Sequence, residues 1–252
     1  MQHLGKSSSR VKELRRRVRR RVPGEVIIDG TKLVHDLIRW DVPIRELYLE
    51  AGRETSAELE VWIASAAEVF EMDRDVLANL APTKTPQGVL AVAEELRRPV
   101  WTASDGFGLY LEGVQDPGNL GAIIRSAAGL GAAAVLLAPE CADPWGPAAV
   151  RGSAGAVFRI PVERDVSLSR AADRLRRHQG ELWATASQGQ PLNEWSPSLP
   201  MLLMLGTEGQ GLSPQASAVA DSTVSIPLQR DVESLNVAVA SGILMSHLNN
   251  SR

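Results

Sequence analysis

A polar turn at the start of a helix is the first place in this sequence where chemistry is expected. Residues 112–132, EGVQDPGNLGAIIRSAAGLGA, lead from an apolar run through an Asp-Pro-Gly turn into a stretch with helical spacing. Asn119 is a good N-cap there, and the first turn of a helix offers free N–H groups to an anion. Gly121 and the buried-looking Arg125 share one face, so bare backbone lies beside a guanidinium that suits a phosphate. The pattern predicts a phosphate-bearing ligand, but an ordinary capped helix with a surface arginine has the same spacing.

A second stretch combines three glycines with one acid after an apolar strand. In LMLGTEGQGLS, residues 203–213, Gly206, Gly209 and Gly211 surround Glu208. A loop of this composition lets backbone amides and carbonyls approach a ligand closely, and few side chains crowd the carboxylate. The alternative is a plain surface turn.

A third stretch runs from a strand through a polar loop into the last helix. In VSIPLQRDVESLNVAVASGILMSHL, residues 224–248, Ser234 and Asn236 stand at the entry of that helix. N-capping accounts for one of these polar residues but not for both. The pattern therefore indicates a second role, such as binding, for the other.

These stretches need a scaffold, and the hydrophobic pattern of residues 105–252 predicts one. Helices are expected from Asn119, near 144–154, over 167–178 and from about 234. The strands expected between them are LYLEGV, AAAVLLA, FRIPV, ELWATA, MLLMLG and STVSIPL. This alternation favours an α/β fold with a mostly parallel sheet covered on both faces, in which ligands bind beyond the carboxyl ends of the strands.

The preceding part of the chain predicts a smaller α/β unit. EVIIDGTKLVHDLIRW indicates a strand, a turn and a helix, IRELYLEA a second strand, and GVLAVAEEL a closing strand. Arginines, a proline and small polar residues then indicate a linker. The predicted organisation is a basic arm at 1–22, a small domain at 23–96, a linker at 97–104 and a larger domain at 105–252.

The charge of the chain is strongly asymmetric. Residues 1–22 hold nine Lys or Arg against Glu13 alone, a net +8, although the whole chain carries −3. Such a run attracts nucleic acid by neutralising phosphates and releasing counterions, but a solvated or frayed helix is the plain alternative. The predicted RNA-binding residues are Arg15, Arg16, Arg17, Arg19, Arg20 and Arg21.

Composition excludes several other classes of protein. With 252 residues, 44% of them hydrophobic and 23% charged, the chain is globular. Its apolar runs are far shorter than the roughly 20 residues of a membrane span, and its basic N-terminus lacks a signal-peptide core, so a cytoplasmic protein is expected. A single cysteine, Cys141, and four histidines without paired spacing predict neither a disulfide nor a metal site. The absence of G-x-G-x-x-G argues against a nucleotide-dependent oxidoreductase.

Taken in order, N-L-G-A-I-I-R, L-G-T-E-G-Q-G-L, and S-I-P-L followed by S-L-N-V closely resemble the three motifs of a known family. These are the SpoU (TrmH-like) RNA ribose 2′-O-methyltransferases of the SPOUT superfamily, and the resemblance spans residues 105–250. Residues 23–96, with IIDGTKLVHDLI and TKTPQGVLAVAEE, resemble the small ribosomal-protein-like RNA-binding domain that often precedes the catalytic one. The resemblance implies a catalytic domain with a deep C-terminal trefoil knot.

The resemblance also implies a cofactor and a partner. S-adenosyl-L-methionine would be held by the knot in a bent form, gripped largely by backbone. The implied cofactor-binding residues are Thr185, Leu205, Gly206, Gly211, Ile226, Leu228, Ser234 and Leu235. Family members are homodimers through the knotted domain, which implies that Arg125 of one subunit helps to build the site of the other.

The implied reaction is methyl transfer from a sulfonium to a ribose 2′-hydroxyl, with Arg125, Asn119, Glu208 and Asn236 as catalytic residues. Because a guanidinium holds its proton under nearly all conditions, we expect Arg125 to orient the 3′-phosphate and stabilise the developing alkoxide. Asn119 would position Arg125 or the ribose, Glu208 would hold Asn119 or Arg125, and Ser234 with Asn236 would order the cofactor loop.

Two positions depart from the third motif of the family. Arg230 stands where glycine is common, and Ala238 stands where a second serine is common. Neither falls on Ser-Leu-Asn, so the expected activity is unchanged. The appended N-terminal domain favours ribosomal RNA of the 23S type as substrate. Transfer RNA is the alternative substrate, and a catalytically silent RNA-binding assembly factor is the rival from another class.

Overall fold

The computed structural model of the protein describes residues 1–54, 56–83, 85–96, 98, 101–104, 106–207 and 209–250. The chain divides into two compact units. The first unit comprises 1–96 with 145–150, and the second comprises 97–144 with 151–252. Within the described ranges, no helix is long and apolar enough to cross a membrane.

The first unit contains a five-stranded mixed sheet. Its elements are β1 (Gln2–Leu4), α1 (Ser9–Arg19), β2 (Glu25–Asp29), α2 (Thr31–Arg39), β3 (Ile44–Glu50), α3 (Ala57–Ser65), β4 (Ala66–Met72), α4 (Arg74–Ala78) and β5 (Val89–Glu94). The strand order is β1-β4-β3-β5-β2, with β5 antiparallel to both of its neighbours. The sequence analysis did not predict β4, because its AAEVFEM pattern alternates only weakly between apolar and polar residues.

The basic arm is an ordered part of this unit. Val11 and Leu14 of α1 are buried in the core, as helical spacing requires for a docked face. Arg17 is only 7% exposed, and its guanidinium donates to Glu25 at 2.8 Å and to Glu46 at 2.7 Å. Arg17 thus differs from the exposed arginines of the arm, because two carboxylates already engage its guanidinium inside the domain.

The second unit contains a six-stranded sheet in which every pair of neighbours is parallel. Its elements are β6 (Phe107–Leu111), α5 (Pro117–Gly129), β7 (Ala134–Leu137), the end of α6 (Pro147–Gly152), β8 (Val162–Glu163), α7 (Leu168–Arg176), β9 (Glu181–Pro191), β10 (Met201–Leu205), α8 (Pro214–Val219), β11 (Ser222–Ser225) and α9 (Val237–Asn250). Residues 147–150 of α6 belong to the first unit. The order is β11-β9-β10-β6-β7-β8. The predicted α/β class with a parallel sheet is confirmed.

Several predicted boundaries need correction. The helix expected from Asn119 begins at Pro117, because the Asp116 side chain accepts the Asn119 N–H at 2.7 Å and caps it one turn earlier. The helix expected near 144–154 is limited to α6, and a 3-10 turn at Ala156–Phe158 replaces the start of the predicted FRIPV strand. The last helix begins at Val237.

The proposed linker at 97–104 contributes to the core of the second unit. Trp101 and Ala103 are buried among residues of the parallel sheet, and the Arg98 guanidinium donates to the Phe158 carbonyl. Arg97, Pro99 and Val100 lie outside the described residues.

Candidate active site

A cavity of about 450 Å³ lies beyond the carboxyl end of β10 and beside the middle of β9. Central strands of a parallel sheet direct their following loops to this edge, where ligands bind in α/β folds. The cavity is lined by loops that carry the second and third motifs. It includes every residue for which cofactor binding was predicted: Thr185, Leu205, Gly206, Gly211, Ile226, Leu228, Ser234 and Leu235.

The loop after β10 is folded back on itself. Thr207 and Gly211 exchange backbone hydrogen bonds of 3.0 Å in both directions. A Cβ placed on Gly206 would lie 2.0 Å from the carbonyl carbon of Gly211 and 2.3 Å from the Leu212 nitrogen. Gly211 itself has a φ of +68°, a conformation that favours glycine. The glycines thus allow a tight backbone wall, and Glu208 lies outside the described residues.

Thr185 joins this wall to the neighbouring strand. Its hydroxyl donates to the carbonyl of Met204 at 3.0 Å, which ties the middle of β9 to the end of β10. The side chain therefore fixes the wall that it helps to form.

Asn119 and Asn236 come together at the rim of the cavity. The amide Nδ2 of Asn236 donates to Oδ1 of Asn119 at 3.0 Å. Oδ1 of Asn236 accepts the backbone N–H groups of Ala238 at 3.0 Å and Val239 at 3.3 Å, so Asn236 also caps α9. Because Asp116 caps α5, the Asn119 side chain is available for this contact.

The surroundings of Arg125 differ from the sequence prediction in two respects. Arg125 is exposed on α5, not buried. Gly121, expected to leave open backbone for a ligand, is buried, and its Cα would lie 3.4 Å from a Cβ on Gly152. Gly121 therefore faces Gly152 instead of leaving open backbone beside Arg125. Arg125 is not among the residues that line the cavity of this chain.

Sequence reasoning missed several residues of the cavity wall. Ser187 follows Thr185 at the end of the apolar part of β9, and the rule that ligands bind at strand ends would have found it. Ser217 of α8 and Glu233 before α9 are exposed polar residues that carry no sequence signal. Ala240 and Leu244 complete an apolar side of the cavity from α9.

Two side chains whose pKa values are raised lie near the end of β6. Burial raises the pKa of the Cys141 thiol, which donates to the carbonyl of Leu111 at 3.1 Å. Burial, with repulsion from Glu112, raises the pKa of Tyr110 to about 12. Both groups are neutral at pH 7. The described residues contain no group of three or more His, Cys, Asp or Glu side chains that could hold a metal ion.

The arrangement favours a ligand recognised through backbone and shape. The walls combine glycine backbone, hydroxyl groups and apolar side chains, a combination suited to a flat nucleoside-like ring. The two asparagines at the rim can align a polar acceptor, and the exposed Arg125 can meet a phosphate.

Comparisons with known proteins agree with this description. The family model for the SpoU rRNA methylase family matches residues 106–246, and that for an MRM3-like substrate binding domain matches residues 9–91. The chain is 32% identical over 238 residues to the 23S rRNA (guanosine(2553)-2′-O)-methyltransferase RlmP of Bacillus subtilis, covering 94% of this chain and 93% of that protein.

Two solved structures are similar over nearly the whole chain. A crystal structure of an RNA 2′-O ribose methyltransferase superposes with a TM-score of 0.84 at 27% identity and covers 99% of each chain. The SpoU methyltransferase AviRb of Streptomyces viridochromogenes, in complex with AdoMet, gives a TM-score of 0.83 at 28% identity, with 97% of this chain and 98% of that chain covered.

Proposed function

This chain belongs to the SpoU rRNA methylase family, and from that premise we propose that it methylates a ribose 2′-hydroxyl in ribosomal RNA of the 23S type. It is an enzyme that uses S-adenosyl-L-methionine (AdoMet) to methylate RNA. The observation that carries the proposal is the cavity whose walls are the second and third motifs, with the first motif joined to its rim by Asn119 and Asn236.

The residues of the cavity fit AdoMet. Gly206 lies so close to Gly211 and Leu212 that a Cβ there would overlap their backbone, so this wall of the cavity consists of backbone that can approach a nucleoside closely. We propose that Leu205, Gly206 and Gly211 contact the cofactor on one side. On the other sides the proposed contacts are Thr185, Ile226, Leu228, Ser234 and Leu235.

AdoMet held by these residues would supply a methyl group from its sulfonium sulfur to the ribose oxygen, and the hydroxyl proton would pass to the neighbouring phosphate or to water. The chain must therefore hold the hydroxyl in line and stabilise the charge that develops on its oxygen. Arg125 performs both tasks in this proposal, by binding the 3′-phosphate and by facing the developing alkoxide. Its exposed position on α5 leaves it accessible to a large substrate.

Asn119 and Asn236 act as a connected pair in the proposal. Asn236 fixes the start of α9 and holds Asn119 at the start of α5, so Asn119 can present its amide to the ribose or to Arg125. Glu208 is proposed to hold Asn119 or Arg125, and Ser234 to order the cofactor loop.

The first unit is proposed to bind the RNA. Lys12, Arg16 and Arg19 of α1 follow the spacing i, i+4 and i+7 and are exposed, so they share one cationic face, and the exposed Arg20 directly follows the helix. Arg15 is half-buried, and Arg21 pairs with Glu95. The relative from Bacillus subtilis, which matches along both units, supports ribosomal RNA over transfer RNA as the substrate.

We also propose a homodimer through the knotted domain, with Arg125 serving the site of the partner subunit. Apolar side chains exposed on the second unit support this: Leu228 at 37%, Val232 at 50% and Val239 at 52%. The trefoil knot and a cytoplasmic location remain predictions from the sequence.

Transfer of labelled methyl from AdoMet to separated ribosomal and transfer RNA tests the proposal. Label at one position of ribosomal RNA, resistant to alkaline cleavage at that nucleotide, is the expected result. Label confined to transfer RNA would support the alternative substrate. Label that leaves the phosphodiester sensitive to alkali would contradict ribose methylation, and no label despite bound cofactor would favour the silent assembly factor.

A further inference from the structure

Glu112 makes contacts at both ends of the glycine loop after β10. Its backbone N–H donates to the carbonyl of Leu205 at 2.9 Å, directly before the loop begins. Its carboxylate accepts the N–H of Ser213 at 2.7 Å and the hydroxyl of Ser213 at 2.9 Å, directly after the loop ends. Glu112, directly after β6, therefore contacts both the residue before and the residue after the segment 206–212.

We infer that Glu112 is a positioning residue that holds this loop in the shape needed to bind the cofactor. The inference rests on the proposed function, because it assigns a task at the same cavity. Glu112 is not among the cavity-lining residues, so it acts through Leu205 and Ser213.

The chemistry of the contact makes it stronger than an ordinary loop hydrogen bond. Both donors of Ser213 meet a carboxylate in a partly buried setting, and hydrogen bonds to an ionised acceptor are about twice as strong as neutral ones. The Ser213 hydroxyl oxygen also accepts the Ala216 N–H at 3.1 Å, so Ser213 caps α8 without help from Glu112. No cation among the described residues forms an ion pair with Glu112. The two hydrogen bonds from Ser213 therefore stabilise its carboxylate.

The residue that follows Glu112 supports the same role. Gly113 has a φ of +70°, and a Cβ there would lie 2.6 Å from Cγ2 of Thr207. The end of β6 is thus packed directly beneath the loop. Three residues later, Asp116 begins the turn that leads to Asn119, so the same short segment places the first motif and braces the second.

AdoMet binding, measured by titration calorimetry on the full chain, tests the inference without any RNA. Glu112→Ala is expected to raise the Kd about tenfold, and Glu112→Gln, which retains an acceptor for Ser213, by no more than about threefold. Ser213→Ala, which keeps the backbone contact, should fall between them. Glu140→Ala is the matched control, because it removes an exposed carboxylate after the neighbouring strand β7 and should bind as the wild type does.

Hydrogen exchange of the cofactor-free protein provides a second readout. The amides of Thr207 and Gly211, which pair across the loop, should exchange faster in Glu112→Ala than in the wild type and be restored by Glu112→Gln. If Glu112→Ala does not fold, as judged by circular dichroism, the comparison of Ser213→Ala with Glu140→Ala carries the test.

Unchanged affinity and unchanged exchange in Glu112→Ala and Ser213→Ala would overturn the inference while leaving the proposed function intact. If instead the wild type does not bind AdoMet, the proposed function fails. Faster exchange in Glu112→Ala would then still show that Glu112 positions the loop.

Discussion

Asn236 donates a hydrogen bond from Nδ2 to Oδ1 of Asn119 at 3.0 Å, joining two helix entries that are 117 residues apart in the chain. Asp116, and not Asn119, caps α5, while Asn236 caps α9 with its Oδ1. Each amide group thus has a defined orientation, since Asn236 must present its oxygen to the backbone and its nitrogen to Asn119.

Asn236→Asp is expected to lower the methylation rate at least about tenfold, because it places two acceptor oxygens face to face at the rim of the cavity. Asn119→Asp keeps an acceptor for Nδ2 of Asn236 and is expected to preserve the melting temperature. A double-mutant cycle with alanine at both positions should give a coupling free energy of about 1 kcal/mol. Additive effects of the two alanines would show that the contact does not matter.

Gly206→Ala should abolish detectable AdoMet binding, because its Cβ would overlap the backbone at Gly211 and Leu212. Gly209→Ala is the matched control from the same loop. A Cβ there has no neighbour within 4 Å, so binding should stay within about threefold of wild type. Equal affinities in the two variants would exclude the proposed backbone wall, and calorimetry makes the comparison.

Arg125→Ala should leave AdoMet affinity unchanged, since Arg125 does not line the cavity of its own chain, and should reduce single-turnover methylation by about a hundredfold or more. Arg170→Ala removes another exposed arginine of the second unit and should have no effect. Turnover near the wild-type value in Arg125→Ala would remove Arg125 from the reaction.

The two faces of α1 should respond differently to substitution. Alanine at Lys12, Arg16 and Arg19 of the exposed face should weaken RNA binding and flatten its dependence on salt concentration, with little change in stability. Arg17→Ala should instead lower the free energy of unfolding by about 3 kcal/mol, because it leaves Glu25 and Glu46 partly buried without a cation. Filter binding at several salt concentrations and urea unfolding separate the two effects.

The Cys141 thiol should resist alkylation at pH 8. Burial raises its pKa, so the reactive thiolate is scarce in the folded state and becomes more abundant only as the pH rises further. Iodoacetamide labelling followed by mass spectrometry should therefore be slow in the native protein and fast in urea. Rapid native labelling at pH 8 would contradict the burial.

Much of the fold was predictable because it rests on local patterns. Continuous apolar runs such as MLLML identified β10, and their alternation with helices predicted the parallel sheet. The three motifs identified the family, because a fixed order of residue types can be recognised in the sequence without knowledge of any contact. Strand β4 was not predicted, because its hydrophobic pattern is weak, and the short β8 was predicted at the wrong position. Pairing with neighbouring strands, and not their own periodicity, stabilises both.

By itself, the sequence determined the class of fold, the loops that line the cavity and the uneven distribution of charge. Tertiary structure alone decided which polar atoms meet. It showed that Gly121 is buried near Gly152, that Arg17 forms ion pairs with two carboxylates, and that Glu112 hydrogen-bonds to Ser213, about a hundred residues away. The physical reason is that hydrogen bonds and close contacts act over a few ångströms between residues far apart in the chain, where no local pattern records them.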